Sequence, residues 1–252
     1  MEDLDPRYLS PTSVIDSDHP SIIGYARSVA GSGRDSVDTA VRLFYAVRDN
    51  IRYDPYVPFY RPEHYRASHV LNIQRGFCIS KAGLLCALAR ASQIPSRVGF
   101  ATVRNHLASR ELIEFMGSDR FVYHGYTELR LEGRWVKATP AFNMELCVRF
   151  GAAPLDFDGR QDALLQPYNS EEAPFMEYLE EHGTTPDIPV DRIVTAFENA
   201  YGRDRPGMDP GDGARRRAPQ PGFDAGRGLS THQLNRNKQN YLIFGPINKN
   251  KE

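Results

Sequence analysis

Phe121-Val-Tyr-His-Gly-Tyr-Thr-Glu-Leu-Arg-Leu-Glu-Gly-Arg-Trp-Val-Lys-Ala-Thr139 decides the fold class. Phe121 to Leu131 alternates as a half-buried strand does. Glu132-Gly133 reads as a two-residue turn, and Trp135 to Thr139 resumes as an antiparallel partner. With that turn, paired residue numbers sum to 265. The pleat then puts Val122, His124, Tyr126 and Glu128 on one face. His124 falls opposite Ala141, with Thr139 and Asn143 as diagonal neighbours, about 7–8 Å apart and within reach of side chains. Pro140 interrupts the ladder beyond Thr139.

Two helices precede this hairpin. Asp35 or Ser36 caps a helix whose Val37, Val41, Phe44, Val47 and Ile51 follow the helical period. Pro55 closes that stretch by disfavouring helix at the residue before it. Ile79 to Ser92 is rich in Ala and Leu, lies between Gly76 and Pro95, and reads as a helix buried on most sides. Arg97 to Val103 reads as a strand with Val98 and Phe100 on one face. Asp156 to Asp204 is mixed and Pro-rich, with a helix from Val190 to Tyr201. Two helices followed by hairpin-joined strands predict an α+β domain with an antiparallel sheet.

The chain of 252 residues is 40% hydrophobic, enough for a substantial core. Its 31 Lys and Arg nearly balance 32 Asp and Glu, so it lacks the charge surplus that drives sequence-independent nucleic-acid binding. No apolar run reaches the ~18–20 residues of a membrane span, and Met1-Glu-Asp-Leu-Asp-Pro does not resemble a secretory signal. Three cysteines without framework spacing argue against a disulfide scaffold, so a reduced, cytoplasmic setting is expected. Residues 1–204 are the expected folded unit. Residues 205–228 carry 4 Pro and 6 Gly, with only Met208 and Phe223 large and apolar, the composition of a flexible linker. Residues 229–252 form a polar tail whose Tyr241-Leu-Ile-Phe244 could dock on the body or on a partner.

Cys78, in Arg75-Gly-Phe-Cys78-Ile-Ser80, stands where the buried helix begins. A helix amino terminus offers unpaired N–H groups that favour a thiolate and can bind an oxyanion. Cys86 and Cys147 lack that setting and read as packing residues. A thiol nucleophile needs a base, and of seven histidines only His124 lies inside a convincing strand. Tyr53, Tyr56, Phe59, Tyr60 and Tyr65 crowd one Pro-rich stretch, as core cover or as a cleft wall. His64 and His69 lack a zinc-binding pattern, and no Gly-rich phosphate loop is present. Neither a metal nor a cofactor is expected.

Taken in order, four blocks resemble the transglutaminase-like superfamily of papain-like Cys-His enzymes. They are Ala40 to Tyr53, Arg75-Gly-Phe-Cys78 with its Ala-Leu helix through Arg97, His124-Gly-Tyr-Thr-Glu128, and Gly133-Arg-Trp-Val-Lys-Ala-Thr-Pro140. The resemblance implies a papain-like core with the nucleophile helix packed on an antiparallel sheet, Cys78 as nucleophile and His124 as base. One position departs from it: the aspartate usual before the proline is here Thr139. Thr139, Asn143, or a carboxylate such as Asp119 or Asp158 then has to orient the imidazole. The activity implied is acyl transfer from an amide, thioester or ester, on a peptide, small-molecule or acyl substrate, to water or an amine. The competing reading is a catalytically inactive module of the same fold used for binding. An arylamine N-acetyltransferase shares the Cys-His logic but fits the Trp-Val-Lys-Ala-Thr-Pro strand less well.

Overall fold

A computed structural model describes residues 4–31, 35–106, 108–149, 152–165 and 175–203. The expected linker and tail, 205–228 and 229–252, lie outside the described residues, as does the second of two compact units, residues 216–252.

The chain opens with helices α1 (Pro20–Ala30) and α2 (Ser36–Asn50), then a short strand β1 (Arg52–Tyr53). Asp35 caps α2, its Oδ1 accepting from the Val37 and Asp38 N–H groups at 2.7 and 3.1 Å. Helix α3 (Ala67–Ile73) leads into strand β2 (Arg75–Gly76), which pairs in parallel with β1. Helix α4 (Cys78–Ala91) follows at once and is the centre of the molecule. Every residue from Ile79 to Arg90 is buried, so its Ala-Leu composition serves contacts on all sides. Its two buried basic side chains are met by carbonyls. Lys81 Nζ donates to the Arg48 and Ile51 carbonyls, and Arg90 donates to those of Ser10, Ser96 and Pro186.

Strand β3 (Ser96–Asn105), helix α5 (Arg110–Met116), strands β4 (Arg120–Leu131) and β5 (Arg134–Ala138), helix α6 (Met144–Arg149), strand β6 (Met176–Thr185) and helix α7 (Val190–Tyr201) complete the order. The sheet runs β5-β4-β3-β6, antiparallel throughout. The hairpin register is the expected one, from Thr127 opposite Ala138 to Leu131 opposite Arg134. Glu132 and Gly133 both have positive φ, 47° and 80°, as a tight hairpin of this twist requires.

Helix α4 packs on one face of β4. Thr127 Oγ1 donates to the Ala82 carbonyl at 2.8 Å, and Leu129 enters the main core. The alternation breaks at Tyr123, whose φ is +55°. Ala101 pairs with His124 but Val103 pairs with Phe121, so β4 carries one extra residue there, a β-bulge. This corrects the expected common face: Val122 packs into the main core and leaves the row of His124, Tyr126 and Glu128. The ring of Tyr123 stacks on His182 of β6, centroids 4.5 Å apart and planes 10° apart. His182 Nε2 is hydrogen-bonded to Thr102 Oγ1 at 2.8 Å, which ties the bulge to strands β3 and β6.

Candidate active site

Cys78 is the first residue of α4, and three features place it. The β1–β2 pairing sets Tyr53 beside Gly76, two residues earlier. Arg75 Nε donates to Asp54 Oδ2 at 2.9 Å, tying the cysteine loop to β1. Ser80 Oγ accepts from the Phe77 N–H at 2.9 Å and closes the helix start. Gly76 is required because a Cβ there would lie 2.5 Å from Ser80 Oγ.

Gly125 sets the second side. A Cβ on it would meet the Ile79 Cα at 2.7 Å, so strand β4 and the amino terminus of α4 touch backbone to backbone. This contact puts the residue before each, His124 and Cys78, at the same junction. The backbone N–H groups of Gly125, Ile79 and Cys78 itself favour the anion of the Cys78 sulfur. Burial outweighs them and pushes the thiol up to about 11. The helix terminus acts in the expected direction, but desolvation is the larger influence and favours the thiol.

His124 is 4% exposed, and burial lowers its pKa to about 4, so the imidazole is neutral at pH 7. Its Nε2 is buried without a hydrogen-bond partner. Thr139, 1% exposed, continues the β5 alternation onto the face of Tyr126 and His124, and its Oγ1 is also buried and unpartnered. Burial raises the phenols of Tyr53, Tyr65, Tyr178 and Tyr201, and each would be raised further by a negative charge on the Cys78 sulfur.

Asn143 is not brought to His124. Its Nδ2 donates to the Arg48 and Ile51 carbonyls, the latter at 2.8 Å, and its Oδ1 accepts from the Tyr53 N–H at 2.7 Å. Beyond Pro140 the chain leaves the ladder, and the amide is spent on the turn between α2 and β1. The carboxylates of Asp119 and Asp158 are also engaged elsewhere. Asp119 pairs with Arg104 at 3.0 Å, and Asp158 accepts from the Arg160 and Gln161 N–H groups.

Cys86 and Cys147 are buried packing thiols. Of the aromatic stretch, Phe59 and Tyr65 are core residues. Tyr53 and Tyr56 are half-buried, their rings against Phe142 and Phe115 at 5.0 and 4.9 Å. Among the described residues no group of three or more His, Cys, Asp and Glu could hold a metal ion, and no helix is long and apolar enough to cross a membrane. Tyr178 escaped the sequence reading because strand β6 did. Gly125 carried a usable signal, since a lone glycine inside a strand marks a close backbone approach.

Residues 23–140 match the profile of the transglutaminase-like superfamily. This segment belongs to the transglutaminase-like superfamily. Among solved structures, the chain is similar to a "putative cysteine protease" from Cytophaga hutchinsonii, with 19% identity and a TM-score of 0.46, covering 73% of this chain and 49% of that one. It is also similar to a "putative protease" from Parabacteroides distasonis, with 15% identity and a TM-score of 0.36, covering 54% and 25%. The chain thus spans about half the length of the first and a quarter of the second. A search of curated proteins gives no significant match.

Proposed function

We propose that this protein is a cysteine-dependent acyl-transfer enzyme acting on an amide, thioester or ester carbonyl, with Cys78 as nucleophile and His124 as base. The observation that carries the reading is the backbone approach of Gly125 to Ile79, which brings the strand position next to His124 against the helix end that starts at Cys78, where backbone N–H groups favour a sulfur anion. Such groups are suited to stabilise negative charge as it develops there and on an attacked carbonyl.

The cycle runs as follows. The Cys78 S–H proton passes to His124 as sulfur bonds to the carbonyl carbon, and the carbonyl oxygen becomes an oxyanion. Collapse breaks the bond to the leaving amine, alcohol or thiol, which takes the proton from His124 and leaves an acyl-thioester on Cys78. Water or an amine then attacks this thioester, gives its proton to His124, and releases the acid or the new amide as the thiol reforms. Since both partners rest neutral, the proton moves when substrate arrives.

The inactive binding module has one specific observation in its favour, the absence of a carboxylate at Thr139. A burst assay separates the two readings. With a chromogenic acetyl ester, the enzyme reading expects about one equivalent of released chromophore per chain and an acetyl adduct on Cys78 by intact mass, both lost in Cys78→Ala. No burst and no adduct would leave the binding module.

A further inference from the structure

Four buried side-chain polar atoms lack a hydrogen-bond partner among the described residues, and three of them share one face of the sheet: His124 Nε2, Thr139 Oγ1 and Tyr178 Oη. The placement follows from register. His124 on β4 pairs with Ala101 on β3, and Val103, two residues on, pairs with Tyr178 on β6. Ala101 and Val103 belong to one small apolar cluster against which Tyr178 packs, so Tyr178 lies on the face that carries His124. Thr139 reaches the same face from the other edge, by the β5 alternation that sets Lys137 over Tyr126 with Nζ 5.0 Å from the ring centroid. The Leu165 N–H favours the Tyr178 oxygen without completing a hydrogen bond.

Buried polar atoms left single are rare and costly, so three on one sheet face need a common explanation. Their chemistry is complementary. A neutral imidazole with its proton on Nε2 is a donor, the threonine oxygen accepts, and the phenol does either. We propose that Thr139 and Tyr178 together orient His124, holding its Nε2–H through Oγ1 and Oη with one bridging water, and so replace the missing carboxylate by a neutral polar pair. Neither touches the reacting atoms, so both are positioning residues. The assignment rests on reading His124 as the base of Cys78, and it extends that reading to a residue from a strand outside the matched segment 23–140.

A neutral pair has a distinct consequence. A carboxylate would stabilise imidazolium and favour a resting thiolate–imidazolium pair, whereas hydroxyl oxygens fix the tautomer and leave both partners uncharged. This agrees with a His124 perturbed by burial and a Cys78 thiol shifted by burial and backbone N–H groups.

The test is nitrogen NMR of the full chain labelled with 15N-histidine, in wild type, Tyr178→Phe, Thr139→Val and Thr139→Ser. The expected wild-type state is a His124 locked with its proton on Nε2. Tyr178→Phe and Thr139→Val each shift the ring toward a tautomer mixture, and Thr139→Ser keeps the wild-type spectrum because it keeps the hydroxyl. In parallel, iodoacetamide labelling of Cys78 at pH 7 falls about five- to tenfold in Tyr178→Phe, the equivalent of one neutral hydrogen bond. A His124 spectrum untouched by Tyr178→Phe overturns the proposal, whatever the reactivity of Cys78. A spectrum that responds while wild-type Cys78 labels no faster than Cys86 or Cys147 supports the orienting pair and removes the acyl-transfer reading instead.

Discussion

Cys78 and His124 are held neutral by one cause, burial, acting with opposite sign on an acid and a base. A residue that adds charge beside them should therefore move both. Thr139→Asp puts a carboxylate on the face of His124. It should raise the imidazole from about 4 toward its ordinary 6.5, stabilise imidazolium, and lower the pH at which Cys78 becomes nucleophilic. The midpoint of the pH profile for iodoacetamide labelling should move down by at least one unit, about 1.4 kcal/mol of charge interaction. A midpoint that stays in place would mean that position 139 does not sense the Cys-His pair. Cys78→Ala is the matching control: it should abolish labelling at this site and leave the melting temperature within a few degrees of wild type.

At the scale of elements, the junction between α4 and β4 depends on a missing side chain. Gly125→Ala would force a Cβ to within 2.7 Å of the Ile79 Cα, where no rotamer change relieves the clash. A cost of about 1–3 kcal/mol in urea unfolding is expected, with a larger loss of Cys78 reactivity than stability alone explains. Wild-type labelling in a folded Gly125→Ala protein would contradict the role given to this contact. Asn143→Ala should behave differently. It removes the amide bonds that fasten the α2–β1 turn, so it should lower stability by a similar amount and alter the His124 spectrum little. These elements also show what was legible in the sequence. The turn Glu132-Gly133 and the alternation of Phe121 to Leu131 set the hairpin register to the residue, and Val190 to Tyr201 was bounded by its periodicity and Pro189. Strand β6 was not, because Met176-Glu-Tyr-Leu-Glu-Glu-His-Gly-Thr-Thr185 is an exposed edge with no regular apolar row for a pattern to reveal. The bulge at Tyr123 was hidden for another reason: its left-handed backbone is tied to a stack with His182, a long-range contact invisible to local periodicity. So the positions of Cys78, His124 and Thr139 at the helix start and in the hairpin were readable from local pattern, whereas those of Tyr178 and Asn143 depend on how distant segments close.

Across the whole molecule, the buried ionisable groups combine into an unusual pH dependence. His124 is lowered to about 4 from 6.5, and Lys81 to about 7 from 10.5, both first by desolvation. A depressed native pKa gives stability that is present above the unfolded value and lost as pH falls through the native one. Stability should therefore rise from pH 4 to 6.5 as His124 ceases to bind a proton in the unfolded chain, by roughly 3 kcal/mol at most. It should rise again above pH 7, where unfolded lysine stays charged and Lys81 does not. Cys78 and Cys147, both raised to about 11 from 9.0, act the other way: their stabilisation is complete below pH 9 and is lost toward pH 11. The two trends meet near pH 9, so the maximum should lie on the alkaline side of the usual range of about 5–8. Urea unfolding at pH 5, 7, 9 and 10.5 measures this directly. Lys81→Met should flatten the rise above pH 7 while leaving the acid limb, and His124→Gln should flatten the acid limb alone. A wild-type optimum at or below pH 7, unchanged by Lys81→Met, would show that Lys81 keeps its proton through the carbonyls of Arg48 and Ile51 and that burial does not set its charge.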